Sequence, residues 1–474
     1  MGSLEYVERP SASLYEMALT RRALLRYGGS LGAAAASATS VGSLLRVANA
    51  SAKKLRIPDS LPNPRVAAGT VDEALPFDHI VVVMMENHSF DNLLGAISLS
   101  GQPRAQGLHF HRGVALNSNP GPEGPVRSFA FPSDKQGSGV SQSWNATHEQ
   151  IDEGRMDGFV RSVGATQPMG YWTADTLPFA YSFASAFTLA NRWFCSAPCQ
   201  TYPNRRFLMA GTAYGNIATD FASLKDPPPP NGTIFDRLHA YGVSWRNYFT
   251  DLPQTAIIPS IIKKYPRNLS LIDKFYADCA AGTLPSVSFI DPGFGLVSEV
   301  GSLLAKVQGL EAIGAKLEEV GGDEEDPQNL SFGEYWAYTI VNAVLSSPAW
   351  PRTLLIYTYD EHGGYYDHIP PPAAIPPDEI PPALEPGDIP GGYDIYGPRV
   401  PAVIASPYSK PNAVTNKVHD HTSVLATIEA KWNLPFLTFR DANAETVEDF
   451  LDLSSPALLE PPTIVKPPLP SLRD

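Results

Sequence analysis

The feature that most constrains the fold is the run from Phe77 to Leu94, because it changes character in its middle. Phe77-Asp78-His79-Ile80-Val81-Val82-Val83-Met84-Met85 is dominated by apolar residues, many of them β-branched. An apolar run of this kind, with little alternation, reads as a strand buried on both faces of a parallel sheet. Glu86-Asn87-His88-Ser89-Phe90-Asp91 then turns polar at once. Open α/β sheets bind ligands just beyond the carboxyl ends of their strands, and Glu86 and Asn87 carry oxygen atoms suited to a hard cation. Ser89 or Asp91 can cap the helix that follows.

A second run repeats the arrangement. Thr353 to Tyr359 reads as a strand and ends in Asp360-Glu361-His362-Gly363-Gly364-Tyr365-Tyr366-Asp367-His368. If the two strands are parallel neighbours, Glu86, Asn87, Asp360 and Glu361 converge on one cleft. Three carboxylates gathered there repel one another unless a cation sits among them. The oxygen-rich set suits Ca²⁺, Mg²⁺, Mn²⁺ or Zn²⁺. The Gly363-Gly364 pair favours a loop with close backbone approach over a helix capped by Asp360.

Thr201 lies in Gln200-Thr201-Tyr202-Pro203-Asn204-Arg205, which reads as a stiff turn before a helix from Phe207 to Thr212. A hydroxyl there can ligate a metal and attack phosphorus, while Asn204 or Arg205 holds a phosphoryl oxygen. The plainer alternative is a threonine that satisfies its own turn.

Helix and strand patterns alternate along the rest of the chain, as in wound α/β sheets. Helices are expected from Ser143, within Phe179 to Phe194 (leading into a strand), and over Thr233–Ala240, Glu334–Ser346 and His421–Trp432. Strands are expected over Val243–Phe249, Leu284–Ile290 and Val400–Ala405. No repeat and no linker divides two cores, so residues 51–474 read as one α/β domain with long loops rich in the chain's 46 prolines.

The net charge of −14 argues against nucleic acid as a partner, and no obligate protein partner is implied. Thr20-Arg21-Arg22-Ala23-Leu24-Leu25-Arg26, a mildly apolar stretch to Leu45, and Ala48-Asn49-Ala50 follow the order of a twin-arginine export signal. Residues 1–50 are expected to be removed, leaving a chain that is periplasmic, attached to the cell surface or secreted. No later run is long and apolar enough to span a bilayer. Cys195, Cys199 and Cys279 allow at most one disulfide and suggest no metal site.

Asp78 to Gly95 strongly resembles the opening motif of the phosphoesterase family, which includes non-specific phospholipases C and bacterial acid phosphatases. The resemblance continues in family order at Gly154–Val160, Ala197–Arg206, Thr358–His368, Tyr396–Pro401 and His421–Leu425. It implies an alkaline-phosphatase-like sandwich, a mostly parallel sheet between layers of helices. It implies that Glu86, Asn87, Thr201, Asp360 and Glu361 surround a divalent metal, with Thr201 as the nucleophile that forms a phosphothreonine. His362 and His368 lie in a matched block and are candidates for phosphate contact or support of the site. Two positions depart from the pattern. Gln142-Ser143-Trp144 replaces His-Ser-Trp, although His148 is kept, and Glu325-Asp326-Pro327-Gln328 replaces Glu-His-Pro-Pro. The missing histidines would hold phosphate or protonate the leaving oxygen. Gln142 can donate a hydrogen bond but cannot act as an acid near neutral pH, and Asp326 adds negative charge beside an anionic substrate unless it binds metal or is protonated.

The resulting expectation is an exported, metal-dependent phosphoric-ester hydrolase of the phospholipase C kind, acting on a phosphate ester such as a phospholipid. Transient membrane contact is expected through Met169-Gly170-Tyr171-Trp172. An acid phosphatase acting on monoesters is one alternative, and a metal- or phosphate-binding relative with weak turnover is another.

Overall fold

The computed structural model describes residues 55–294, 322–325 and 328–470. The expected export signal and Asp326 lie outside the described residues. From Leu55 onward the described chain forms one compact unit.

Eight strands build the central sheet: β1 (His79–Met85), β2 (Thr188–Ala190), β3 (Trp245–Phe249), β4 (Leu269–Leu271), β5 (Val287–Asp291), β6 (Thr353–Tyr359), β7 (Ala402–Ala405) and β8 (Ala413–Thr415). Their order is β4-β3-β5-β1-β6-β7-β2-β8. Only β7 runs against its neighbours; the other pairings are parallel. Every residue of β6 and Ile80–Met85 of β1 is buried, so both sheet faces are covered, and the fold is an α/β sandwich. The helices used below are α1 (Phe90–Leu94), α2 (Trp144–Ile151), α3 (Pro178–Ala186), α4 (Thr201–Ala210), α5 (Ile234–Ala240), α6 (Ile272–Ala281), α7 (Leu330–Leu345) and α8 (Thr422–Trp432).

The two strongest strands of the sequence are direct neighbours at the centre of the sheet. β1 and β6 pair over their full lengths, from His79↔Thr353 to Met85↔Tyr359. The Asp360 amide extends the ladder by donating to Met85 O at 3.1 Å, which sets Glu86 and Asp360 side by side past the strand ends.

Three expectations change. α4 begins at Thr201, where a stiff turn was expected, because Pro203 is its third residue and amides of the first turn have no partner inside the helix. The short strands β4 and β8 and the helix α6 carry no run strong enough to be read. The Met169–Trp172 segment is core and offers no lipid contact: Trp172 is 0% exposed and its indole donates to Ser133 O at 2.8 Å. All three cysteines are buried free thiols.

Candidate functional site

The site grows from the ends of β1 and β6. Arg205, from the first turns of α4, places its guanidinium between the two strand ends. Its Nη2 lies 2.9 Å from Glu86 Oε1 and its Nε 3.0 Å from Asp360 Oδ2. The group is almost wholly buried, so these contacts act in a low local dielectric. Glu86 N donates to Asp323 O at 3.0 Å, which draws the acidic segment 322–325 over the strand end. Carboxylate oxygens of Glu86, Asp323 and Glu325 all lie within 4.8 Å of one another.

The loop after β6 closes the other side. Gly363 adopts φ +64°, and a Cβ there would stand 1.9 Å from Asn87 O, so only glycine lets the two strand-end loops meet. Its amide donates to Glu361 Oε2 at 2.8 Å. Beneath Asp360, His421 Nε2 donates to the Asp360 carbonyl at 2.6 Å.

Charge balance describes what this centre can hold. Burial raises the Asp323 and Asp360 carboxyls well above their ordinary range, with Arg205 partly offsetting the rise at Asp360. Burial and then Glu86 push Glu325 up to about 10. Asn87 Oδ1 is buried with no hydrogen-bond partner among the described residues, while its Nδ2 reaches Glu325 Oε1 at 3.5 Å. An orphaned amide oxygen among crowded carboxylates is the donor set that a hard divalent cation satisfies. The residues present fit such an ion.

Thr201 is the first residue of α4, 6% exposed, and among the described residues its hydroxyl has no hydrogen-bond partner. It lines a cavity of about 150 Å³ together with Glu86, Arg205, Glu325 and the apolar Leu252, Ile257 and Phe294. Tyr202 N is spent on Thr219 Oγ1 and Pro203 has no N–H, so it is the helix dipole that favours negative charge at this end of α4.

The structure brings Glu86, Asn87, Thr201, Asp360 and Glu361 to one end of the sheet, with Thr201 in the cavity wall. Other expected residues do different work. Asn204 is no substrate ligand: its Oδ1 accepts from Ala197 N and its Nδ2 donates to Ala197 O, Cys199 O and Gln200 O, which fixes the turn before Thr201. Arg205 is spent on Glu86, Asp360 and the carbonyls of Met84 and Met85, so it positions the carboxylates. His362 is sealed in the core, donates from Nε2 to Gln150 Oε1 at 2.7 Å, and is driven down to about 3 by burial.

His368 belongs to a separate cluster. Its Nδ1 donates to Asp91 Oδ2 at 2.6 Å, and Arg399 spans Asp91 and Asp367. It lines a second cavity with His109. His148 Nδ1 donates to Trp144 O at 2.7 Å. Neither His148 nor Gln142, at the start of α2, is part of the Thr201 cavity wall. Asp323 and Glu325 join the site without having been named as candidate ligands; Glu325 is the glutamate kept in the block that departs from Glu-His-Pro-Pro, whereas Asp323 carried no signal beyond the acidic run of its loop.

The phosphoesterase family model matches residues 77–435. Over 418 residues the chain is 31% identical to non-specific phospholipase C6 of Arabidopsis thaliana, spanning 82% of this chain and 75% of that one. It is 27% identical to phospholipase C A of Mycobacterium tuberculosis over 449 residues, 83% of this chain and 81% of that one. A solved protein of the alkaline phosphatase superfamily from Vibrio parahaemolyticus aligns over 75% of this chain and 79% of that one, at 12% identity and TM-score 0.33. Sheet, strand-end carboxylates and family match define a hydrolase of phosphoester bonds. The chain belongs to the phosphoesterase family.

Proposed function

We propose that the chain is an exported, divalent-metal-dependent phospholipase C that removes phosphorylated head groups through a phosphothreonine at Thr201. The observation that carries this reading is the position of Thr201 at the first turn of α4, in one cavity with Glu86, Arg205 and Glu325, its hydroxyl without a hydrogen-bond partner among the described residues. The names of the relatives support the lipid substrate, and the arginine pair and apolar stretch within residues 1–50 support export.

Thr201 Oγ attacks phosphorus as its hydroxyl proton is released, the bond from phosphorus to the diacylglycerol oxygen breaks, and that oxygen takes up a proton, so the step is proton-neutral overall. Water then attacks the phosphothreonine, releasing the phosphorylated head group and restoring the hydroxyl. The positive end of the α4 dipole lies at Thr201, where the phosphoryl charge develops. Arg205 keeps Glu86 and Asp360 apart and oriented. A divalent ion held by Glu86, Asn87, Asp360, Glu361 and Thr201 supplies Lewis-acid stabilisation of negative oxygen.

Hydrolysis of p-nitrophenyl phosphorylcholine and p-nitrophenyl phosphate, before and after chelation and metal add-back, tests this reading. Turnover of the diester that falls on chelation, returns with a divalent metal, and drops at least about a thousandfold in Thr201→Ala is expected. Equal activity in Thr201→Ala would overturn the nucleophile. Hydrolysis of the monoester alone would turn the reading to an acid phosphatase.

A further inference from the structure

The Thr201 cavity is too small for a whole phospholipid. Its volume of about 150 Å³ lies below the roughly 300–1,000 Å³ of pockets that enclose a drug-sized ligand. A phosphorylated head group has room; two acyl chains do not. The chains therefore remain outside, and whatever borders the mouth must meet the medium they lie in.

One wall of the cavity is apolar and rigidly mounted. Leu252, Pro253, Ala256 and Ile257 form one wall of the cavity. Arg206, from the nucleophile's own helix, ties that wall to a surface turn: its Nη2 donates to Ile257 O at 3.3 Å, to Ser223 O at 3.1 Å and to Ser223 Oγ at 3.0 Å. The start of α4 anchors the same turn, because Tyr202 N donates to Thr219 Oγ1 at 3.2 Å and Thr219 N to Gln200 Oε1 at 2.9 Å. On this mount Phe221 is 51% exposed, and Ala222, Pro227, Pro228 and Pro230 are exposed after it. A scattered surface phenylalanine needs no explanation. A phenylalanine held out on a turn bonded to both flanks of the catalytic threonine has a direction.

We infer that residues 219–230 are the lip on which the protein seats itself on a zwitterionic phospholipid surface, Phe221 entering the head-group boundary; this rests on the phospholipase C reading. Charge selects the surface. The chain carries a net charge of −14, and the turn sets Asp220 and Asp226 against Lys225 alone. An anionic membrane repels such a face, whereas aromatic side chains settle at a neutral lipid interface without a basic patch.

The test compares wild type, Phe221→Ser and Phe221→Trp, each with phosphatidylcholine vesicles and with soluble p-nitrophenyl phosphorylcholine. Phe221→Ser is expected to sediment with vesicles about tenfold more weakly and to hydrolyse them correspondingly more slowly, with kcat/KM on the soluble ester unchanged. Phe221→Trp keeps both activities, and its added emission shifts to the blue on vesicles. The lip is overturned if Phe221→Ser binds vesicles as wild type does, or loses the soluble activity equally. Tighter wild-type binding to phosphatidylglycerol than to phosphatidylcholine overturns the choice of surface. Loss of the parent reading is seen separately, as wild type that sediments with vesicles but hydrolyses neither substrate.

Discussion

Arg205 is the side chain on which the electrostatics of the site turns. One guanidinium faces two buried carboxylates, Glu86 and Asp360, and removing one partner of a buried ion pair leaves the other charge without compensation. Arg205→Met is therefore expected to lose about 3–5 kcal/mol of stability at neutral pH in chelator, and to regain part of it when a divalent cation is added. Urea unfolding with and without metal measures both effects; a variant as stable as wild type in chelator would show that Arg205 is not the clamp. At this scale the placement of Glu86, Asn87, Asp360 and Glu361 past two strand ends was readable from sequence, because each pair follows an apolar run of strand character. The task of Arg205 was not, since a guanidinium aimed at a carboxylate and one aimed at a phosphate look alike in a sequence. Asp323 was missed for another reason: it reaches the site through a loop, and loops carry no periodicity, while its neighbour Glu325 was visible only as the glutamate of a block that departs from the family pattern.

At the scale of elements, the site depends on two strand-end loops meeting over a parallel ladder. Gly363 is their point of contact, and the comparison with Gly113 separates crowding from backbone conformation. Both have positive φ, +64° and +78°, but a Cβ at Gly113 meets nothing within 4 Å, whereas one at Gly363 strikes Asn87 O. Gly113→Ala is expected to cost about 1–2 kcal/mol, the left-handed strain alone. Gly363→Ala carries that strain together with a further ~1–3 kcal/mol for crowding, and it displaces Asn87. Thermal unfolding of the pair, with metal titration of each, checks this; equal losses would show that the loops do not depend on close approach. Most of the fold was open to reading for the same reason as its centre, since β1 and β6 are seven-residue apolar runs. The edge strands β4 and β8 have three residues each and are fixed by their neighbours, so nothing local announces them. The start of α4 was obscured by Pro203, which ordinarily ends a helix but is tolerated in its first turn.

Across the whole molecule, buried ionisable groups set how stability follows pH. His88 and His421 are both driven by burial down to about 4. The unfolded chain takes up protons near the ordinary histidine value while the folded chain does not, so stability falls as pH drops from about 6.5 toward 4. Glu334 acts in the opposite sense. It sits on α7 and accepts from Phe179 N at 2.8 Å and Ala180 N at 3.2 Å, capping α3, whose own N-cap residue supplies no side-chain bond. Burial raises it to about 8, against the lowering effect of those two amides. The folded chain keeps this proton while the unfolded chain releases it near the ordinary glutamate value. Its contribution is therefore complete in acid and is lost as pH rises from about 4.5 to about 8, at up to about 1.4 kcal/mol per pH unit. Gln has the same shape and an oxygen that accepts the same two amides, but it does not titrate. Glu334→Gln is thus expected to match wild type near pH 5 and to exceed it increasingly toward pH 8, read as the urea midpoint at pH 5, 6.5 and 8. Parallel midpoints across that range would mean that the folded chain holds Glu334 ionised and that its proton is not kept above the ordinary glutamate range.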